Sequence, residues 1–196
     1  MAAAEPERPQ GEERASEPWT IARVLKWAAD DFRKRQNPSP RLDAELLLAH
    51  ALESDRIRLV LDSERQLGNA ELGRYRELIR RRRSGEPIAY ILGRREFYGL
   101  SFAVDRRGLV PRPDTEPLVE VALERTRARS MHGVALDLCT GTGCVAIAFA
   151  KARPTWRVTA SEVALETAEL AWENVRRLGV AFSVAVAVGD LFAPVA

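Results

Sequence analysis

Asp137-Leu-Cys-Thr-Gly-Thr-Gly143 is the stretch on which the reading of this chain turns. Before it, Val134 to Cys139 is a short apolar run of strand character; after it, Cys144 to Ala152 reads as a buried helix. Gly141 and Gly143 permit a tight turn and let a ligand lie against bare backbone, while the start of the helix offers unpaired N–H donors. In an open α/β sheet, ligands bind beyond the carboxyl ends of the strands. The stretch therefore predicts a site for a nucleotide-like molecule.

Downstream, Trp156 to Ser161 reads as a second strand, Leu165 to Leu178 as a helix stopped by Gly179, and Phe182 to Val188 as a third strand. This βαβαβ order implies a parallel sheet with right-handed crossovers. Glu162 ends the second strand, where an acid can accept hydrogen bonds from ribose hydroxyls. Asp190 follows the third strand, placed to receive an adenine amino group with Leu191 and Phe192 beside the ring. Gly141, Gly143 and Ala146 also satisfy the dinucleotide fingerprint, so NAD is a rival ligand. Asp137 separates the two on charge, because a carboxylate in the first turn suits a cationic sulfonium and ammonium and repels a pyrophosphate.

Upstream, residues 1–18 mix Pro, Gly, Glu and Arg with little apolar content and predict a disordered tail. Helical periodicity begins at Ile21 with Thr20 as N-cap, through Val24, Leu25 and Ala28. A second helix is expected to be capped by Ser39, with Pro40 at its first position and Leu42, Leu46, Leu47 and His50 near one side. A short apolar segment covers Ile57 to Leu61, and a fourth helix opens at Asn69, buries Leu72, Tyr75, Leu78 and Ile79, and ends at Gly85. Arg80 to Arg83 reads as a solvated helix end or as a docking surface for an acidic or RNA-bearing partner. Ile88 to Val110 predicts an extended connector or hairpin, and Asp114 or Thr115 caps a helix that runs to about Arg127 and packs through Leu118, Val119, Ala122 and Leu123.

Composition sets outer bounds. With 196 residues, 46% of them hydrophobic, the chain can bury a real core, and a net charge of +2 argues for neither a nucleic-acid nor a membrane partner. No run reaches the ~18 apolar residues that cross a bilayer, so a cytoplasmic protein without membrane contact is expected. Cys139 and Cys144 have neither disulfide-framework nor metal spacing and read as small buried residues lining the turn. His50 and His132 stand alone, and no metal is expected.

Several segments together resemble the PrmC/HemK family of protein-(glutamine-N5) methyltransferases, from about residue 20 to the last residue. The most specific is LVPRPDTEPLVE at 109–120; RLDAE at 41–45, GEPIAYILGRREFYGL at 85–100 and DLCTGTG at 137–143 add to it. The resemblance implies a helical release-factor-binding domain over 19–86, a hairpin connector over 87–112, and from 113 onward the first three parallel strands of a seven-stranded, Rossmann-like class I methyltransferase sheet. It implies S-adenosylmethionine as cofactor and a peptide chain release factor as partner, methylated on the glutamine of its GGQ motif by a monomeric enzyme. It assigns Cys139, Thr140, Gly141, Thr142 and Gly143 to the cofactor loop, Glu162 to the ribose, and Asp190 with Leu191 to the adenine. Arg112, Pro113, Thr115 and Glu116 fall near the substrate.

The family's Asn-Pro-Pro-Tyr motif has no counterpart in these 196 residues, so no catalytic residue is nominated. In the family that Asn and a prolyl carbonyl accept the hydrogens of a weakly nucleophilic amide and aim its nitrogen. The chain alone is expected to bind cofactor weakly, not to methylate, and to leave its first strand as an exposed apolar edge. Adenine methylation in nucleic acid is a rival reading, weakened by the lack of a basic, aromatic-studded face. A non-catalytic module that binds the release factor is another.

Overall fold

A computed structural model describes residues 18–195; the expected tail lies outside them, apart from Pro18. The chain divides into two compact units, one up to Arg80 and one from Arg81 onward. In the first unit, helices α1 (Ile21–Lys34), α2 (Pro40–Ala51), α3 (Arg56–Leu61) and α4 (Asn69–Arg83) are separated by short turns. Apolar residues at helical spacing put Ile21, Val24, Leu25, Ala28 and Phe32 of α1 inside, against Leu47 and Leu48 of α2 and Tyr75 and Ile79 of α4. Each large side chain so buried contributes about 2 kcal/mol. Thr20 caps α1 as expected, its hydroxyl accepting from the Arg23 amide at 3.3 Å.

Three local expectations are corrected. Ser39 makes no side-chain cap; its amide instead donates to Asn37 Oδ1, and Asn37 Nδ2 donates to Asp43 Oδ2 at 2.7 Å, so Asn37 organises the entry to α2. The buried face of α2 is Ala44, Leu47, Leu48 and Ala51, leaving Leu42 and His50 exposed. The rotation follows from Tyr75, whose buried hydroxyl donates to the Ala44 carbonyl at 3.0 Å and draws that side inward. In α3 only Leu59 is buried, while Ile57, Val60 and Leu61 face solvent.

The second unit opens with α5 (Ile88–Leu92), where an extended segment was expected. Burial of Ala89 and Ile91 overrides the strand preference of Ile88, Tyr90 and Ile91, and left-handed Gly93 ends the turn of helix. The hairpin then forms from β1 (Arg94–Phe97) and β2 (Leu100–Ala103), joined by Tyr98 and Gly99, both at positive φ as a two-residue hairpin turn requires. Pro113–Thr115 is a single 3-10 turn leading into α6 (Glu116–Thr126), with neither Asp114 nor Thr115 capping it. Val119 of α6 is fully buried and Ala122 and Leu123 are half-buried, whereas Leu118 is exposed.

β3 (Val134–Leu138), α7 (Cys144–Ala152), β4 (Arg157–Glu162), α8 (Leu165–Arg177) and β5 (Val184–Val188) complete the unit. The three strands are parallel in the order β3-β4-β5, so β4 is central and the carboxyl ends of all three lie side by side. α7 and α8 pack on the sheet and on each other. The near-continuous apolar sequence of α7, with Ala146, Ile147, Ala148, Phe149 and Ala150 buried, is what covering a parallel sheet demands.

Among the described residues no strand pairs with the outer edge of β3, the exposed apolar edge that was expected. Val134 there is 82% exposed, and a groove of about 740 Å³ runs between Leu118 and Ala122 of α6, Leu136 of β3 and Val145 and Phe149 of α7.

Tyr75→Phe removes one buried hydrogen bond and leaves the Ala44 carbonyl within its helix. Urea denaturation should show the first unit destabilised by about 1 kcal/mol; an unchanged midpoint would mean the hydroxyl does not orient α2.

Candidate functional site

The site grows from the end of β3. Thr140 N–H donates to the Ser161 carbonyl at 3.0 Å, which carries the β3–β4 ladder one step past the strand and holds the turn against β4. The Gly143 amide closes back on the Thr140 carbonyl at 2.9 Å, and α7 begins. Gly141 (φ 57°) and Gly143 (φ 80°) are left-handed. A Cβ on Gly143 would sit 3.1 Å from Ile147 and 3.4 Å from Ala171, so that glycine permits helix packing. A Cβ on Gly141 would meet nothing within 4 Å, so that glycine leaves backbone open to an incoming molecule.

Asp137 has a different place from the one charge alone suggested. Its Oδ2 accepts from the Thr140 hydroxyl at 2.6 Å and from the Ala146 amide at 3.2 Å. Gly143 has no side chain to cap α7, and the carboxylate of Asp137 does so from the strand below. Burial pushes the Asp137 carboxyl above the usual aspartate range, and the two donors oppose that rise. A pyrophosphate drawn to the positive end of α7 meets an amide already bonded to a carboxylate, which disfavours the dinucleotide reading on geometry as well as charge.

Glu162, at the end of β4, joins three segments. Its Oε2 accepts from the Gly141 amide at 3.0 Å, and its Oε1 accepts from Val163 and Ala164 at 3.0 and 3.2 Å, at the entry to α8. A carboxylate has about four acceptor positions, so one on Oε2 stays open beside Gly141. Asp190 is exposed after β5. Leu191 takes a left-handed φ of 45° with its carbonyl held by the Ser161 hydroxyl at 3.0 Å, and Leu191 and Phe192 are 48% and 59% exposed. The strand ends thus place an open glycine, a carboxylate with spare capacity, a free acid and two exposed apolar side chains along one side of the sheet. A nucleoside with a cationic tail and no phosphate suits that donor set.

Of the two cysteines, Cys144 is buried as expected and Cys139 is not. Cys144 is buried, and burial raises its thiol above the usual range. Cys139 is exposed and left-handed at φ 58°, where a side chain is strained. Arg112, Pro113, Thr115 and Glu116 share no hydrogen bond or ion pair with residues 139–143 among the described residues. Glu116 instead accepts from the Tyr98 amide at 2.9 Å and fixes the hairpin turn to α6. Sequence reasoning missed Asn174, which is fully buried and bonded to the Thr142 carbonyl at 3.0 Å. An Asn on the apolar face of a predicted helix is the only signal that could have found it. Among the described residues no cluster of His, Cys, Asp or Glu forms a metal site, and no helix is long and apolar enough to cross a membrane.

Comparison with known proteins gives two matches to families: the PrmC N-terminal domain over residues 23–93 and the methyltransferase small domain over 115–196. A release factor glutamine methyltransferase of Rhodopirellula baltica is 42% identical over 178 residues, covering 89% of this chain and 60% of the relative. One of Vibrio cholerae is 43% identical over 177 residues, covering 90% of this chain and 61% of the relative. The chain spans about three fifths of the length of these relatives. Among solved structures, an RNA methyltransferase of Salinibacter ruber in complex with S-adenosyl-L-homocysteine is 31% identical over 43% of this chain and 52% of its own, with a TM-score of 0.37.

Two outcomes follow for the turn. Cys139→Gly relieves a left-handed side chain and should raise the second unit's stability by about 1 kcal/mol in thermal unfolding. Because the Asp137 carboxyl is raised on folding, its ionisation opposes folding, and that cost grows as pH rises from the ordinary aspartate range through the raised value. Asp137→Asn, whose Oδ1 still accepts from Ala146, should therefore gain on wild type at neutral pH and lose that advantage in acid; melting curves across pH that stay parallel would contradict this.

Proposed function

The chain belongs to the PrmC family of release factor glutamine methyltransferases, and on that premise we propose that the protein transfers a methyl group from S-adenosylmethionine to the side-chain amide of the GGQ glutamine in a peptide chain release factor. The observation that carries the cofactor half is Glu162 held against the open Gly141, with one acceptor position left for ribose hydroxyls. Residues 139–143 form the floor beneath the methionine portion. Asp190 accepts from the adenine amino group, and Leu191 and Phe192 cover its ring. When bound, this cofactor supplies a methyl carbon made electrophilic by the adjoining sulfonium. The chain's own contribution is to fix that end of the molecule on rigid strand ends, so that the methyl approaches the amide along one line.

The helical unit takes the release factor, and residues 109–116 lie on the side where the glutamine enters. The enzyme works as a monomer in the cytoplasm. Capping of α7 by Asp137 favours this reading over NAD, since the Ala146 amide at the helix start is already bonded to a carboxylate that would repel a pyrophosphate.

Calorimetry tests the cofactor half on the 196-residue chain. S-adenosylhomocysteine should bind, NADH should not compete, and Glu162→Ala should weaken binding about 10- to 100-fold, the worth of a charged hydrogen-bond acceptor. No heat from a folded chain, at ligand concentrations high enough to fill a weak site, overturns the cofactor assignment. The substrate half is tested by a chimera in which this chain replaces the matched region of the Rhodopirellula baltica relative. Labelled methyl should appear on the release-factor glutamine, and a chimera that binds cofactor but leaves the factor unlabelled overturns the substrate.

A further inference from the structure

Asn174 lies in the last turn of α8 and is fully buried, where an unpaired amide would cost about 1–3 kcal/mol. It is not unpaired. Its Oδ1 accepts from the Ala103 amide at 2.7 Å, and its Nδ2 donates to the Ala103 carbonyl at 3.0 Å. The side chain thus pairs with the last residue of β2 as a neighbouring strand would, through both backbone groups of one residue. Its second N–H goes to the Thr142 carbonyl, inside the glycine turn, at 3.0 Å. One side chain ties three segments: the end of the hairpin, the turn and α8.

The neighbours on α8 extend the tie. Glu173 pairs with Arg107 at 2.9 Å, and Arg107 is also held by Asp105 at 2.7 Å. The Thr167 hydroxyl donates to the Arg107 carbonyl. A Cβ on Gly108 would meet Leu170 at 3.1 Å and Thr142 at 3.2 Å, so the strap over residues 104–108 lies directly on both helix and turn. That strap leads into 109–116, the segment proposed to face the substrate.

We propose that Asn174 is a positioning residue that locks the glycine turn to the hairpin strap, so that the cofactor floor and the segment leading to the substrate side hold one fixed spacing. For its binding consequence the inference rests on the cofactor reading above; for its mechanical consequence it does not. Deleting the tie frees Thr142 and Ala103 together, although the two are far apart in sequence.

The experiment compares Asn174→Asp, which turns a donor into a carboxylate facing two carbonyls, with Val184→Ala, a core truncation in β5 that leaves the tie intact. Amide hydrogen exchange is read by mass spectrometry at denaturant concentrations that match overall stability. In Asn174→Asp, peptides covering 101–108 and 138–144 should exchange about tenfold faster while β4 peptides match the control, and affinity for S-adenosylhomocysteine should fall about tenfold. Uniform acceleration across the second unit, or no change at either segment, overturns the proposal. If wild type shows no binding, the cofactor reading fails while exchange still decides the role of Asn174. Should Asn174→Asp not fold, denaturant-dependent exchange of wild type decides it. The two segments open in a single step if Asn174 joins them, and in separate steps if it does not.

Discussion

The carboxylate of Asp137 reaches over the glycine turn to the amide of Ala146, and the rest of the site takes its form from that link. Burying an acid is unfavourable, and here the Thr140 hydroxyl and the positive end of α7 offset part of that cost. One amide of the helix start is thereby bonded internally, beside a negative charge. What the turn offers to a ligand is neutral backbone at Gly141, with Glu162 and Asp190 as the acids beside it. The same helix start, left uncapped, would be an anion site. A single side chain therefore changes which class of molecule the loop suits, without altering the glycine pattern that a sequence motif records.

The parallel sheet was legible because its signals are local: apolar runs of strand length, glycines at turns, and an acid within two residues of the end of the second and third strands. Thr20 capped its helix because the hydroxyl and the amide it serves lie three residues apart. The errors arose where a distant group decided the outcome. Tyr75, 31 residues away from Ala44, turned α2 so that Leu42 and His50 face out. Burial of Ala89 and Ile91 wound Ile88–Leu92 into helix against its propensity. Thr115 has a capping side chain but sits in helical backbone at the end of a 3-10 turn, so it cannot act as a cap. At the site, the residue types were readable and their partners were not. Asp137 was read as a charge facing a ligand, whereas its bonds run to the loop and the helix behind it.

The two units rely on different stabilising patterns. In the first, helices pack through apolar faces, and a few long-range hydrogen bonds set their rotation; Arg74 Nε, for example, donates to the Ala51 carbonyl at 2.8 Å and satisfies the end of α2. In the second, backbone ladders set the positions and side-chain bonds reach from one segment to another: Glu162 to the turn, Glu116 to the hairpin, Arg107 to α8. A turn fixed by so many distant partners is rigid where a ligand needs it rigid, with no large apolar residue inside it.

The distance in sequence between Ala103 and Asn174, 71 residues, has a consequence for how the chain is made. On a ribosome adding 5–20 residues each second, the hairpin emerges roughly 4–14 s before its buried amide partner has been synthesised. Through that interval the Ala103 end of the hairpin lacks its partner, and the glycine turn, once made, has Asp137, Ser161 and Glu162 to hold it but no tie to the strap. The spacing between cofactor floor and strap is therefore set only once α8 has been made and has closed over the hairpin.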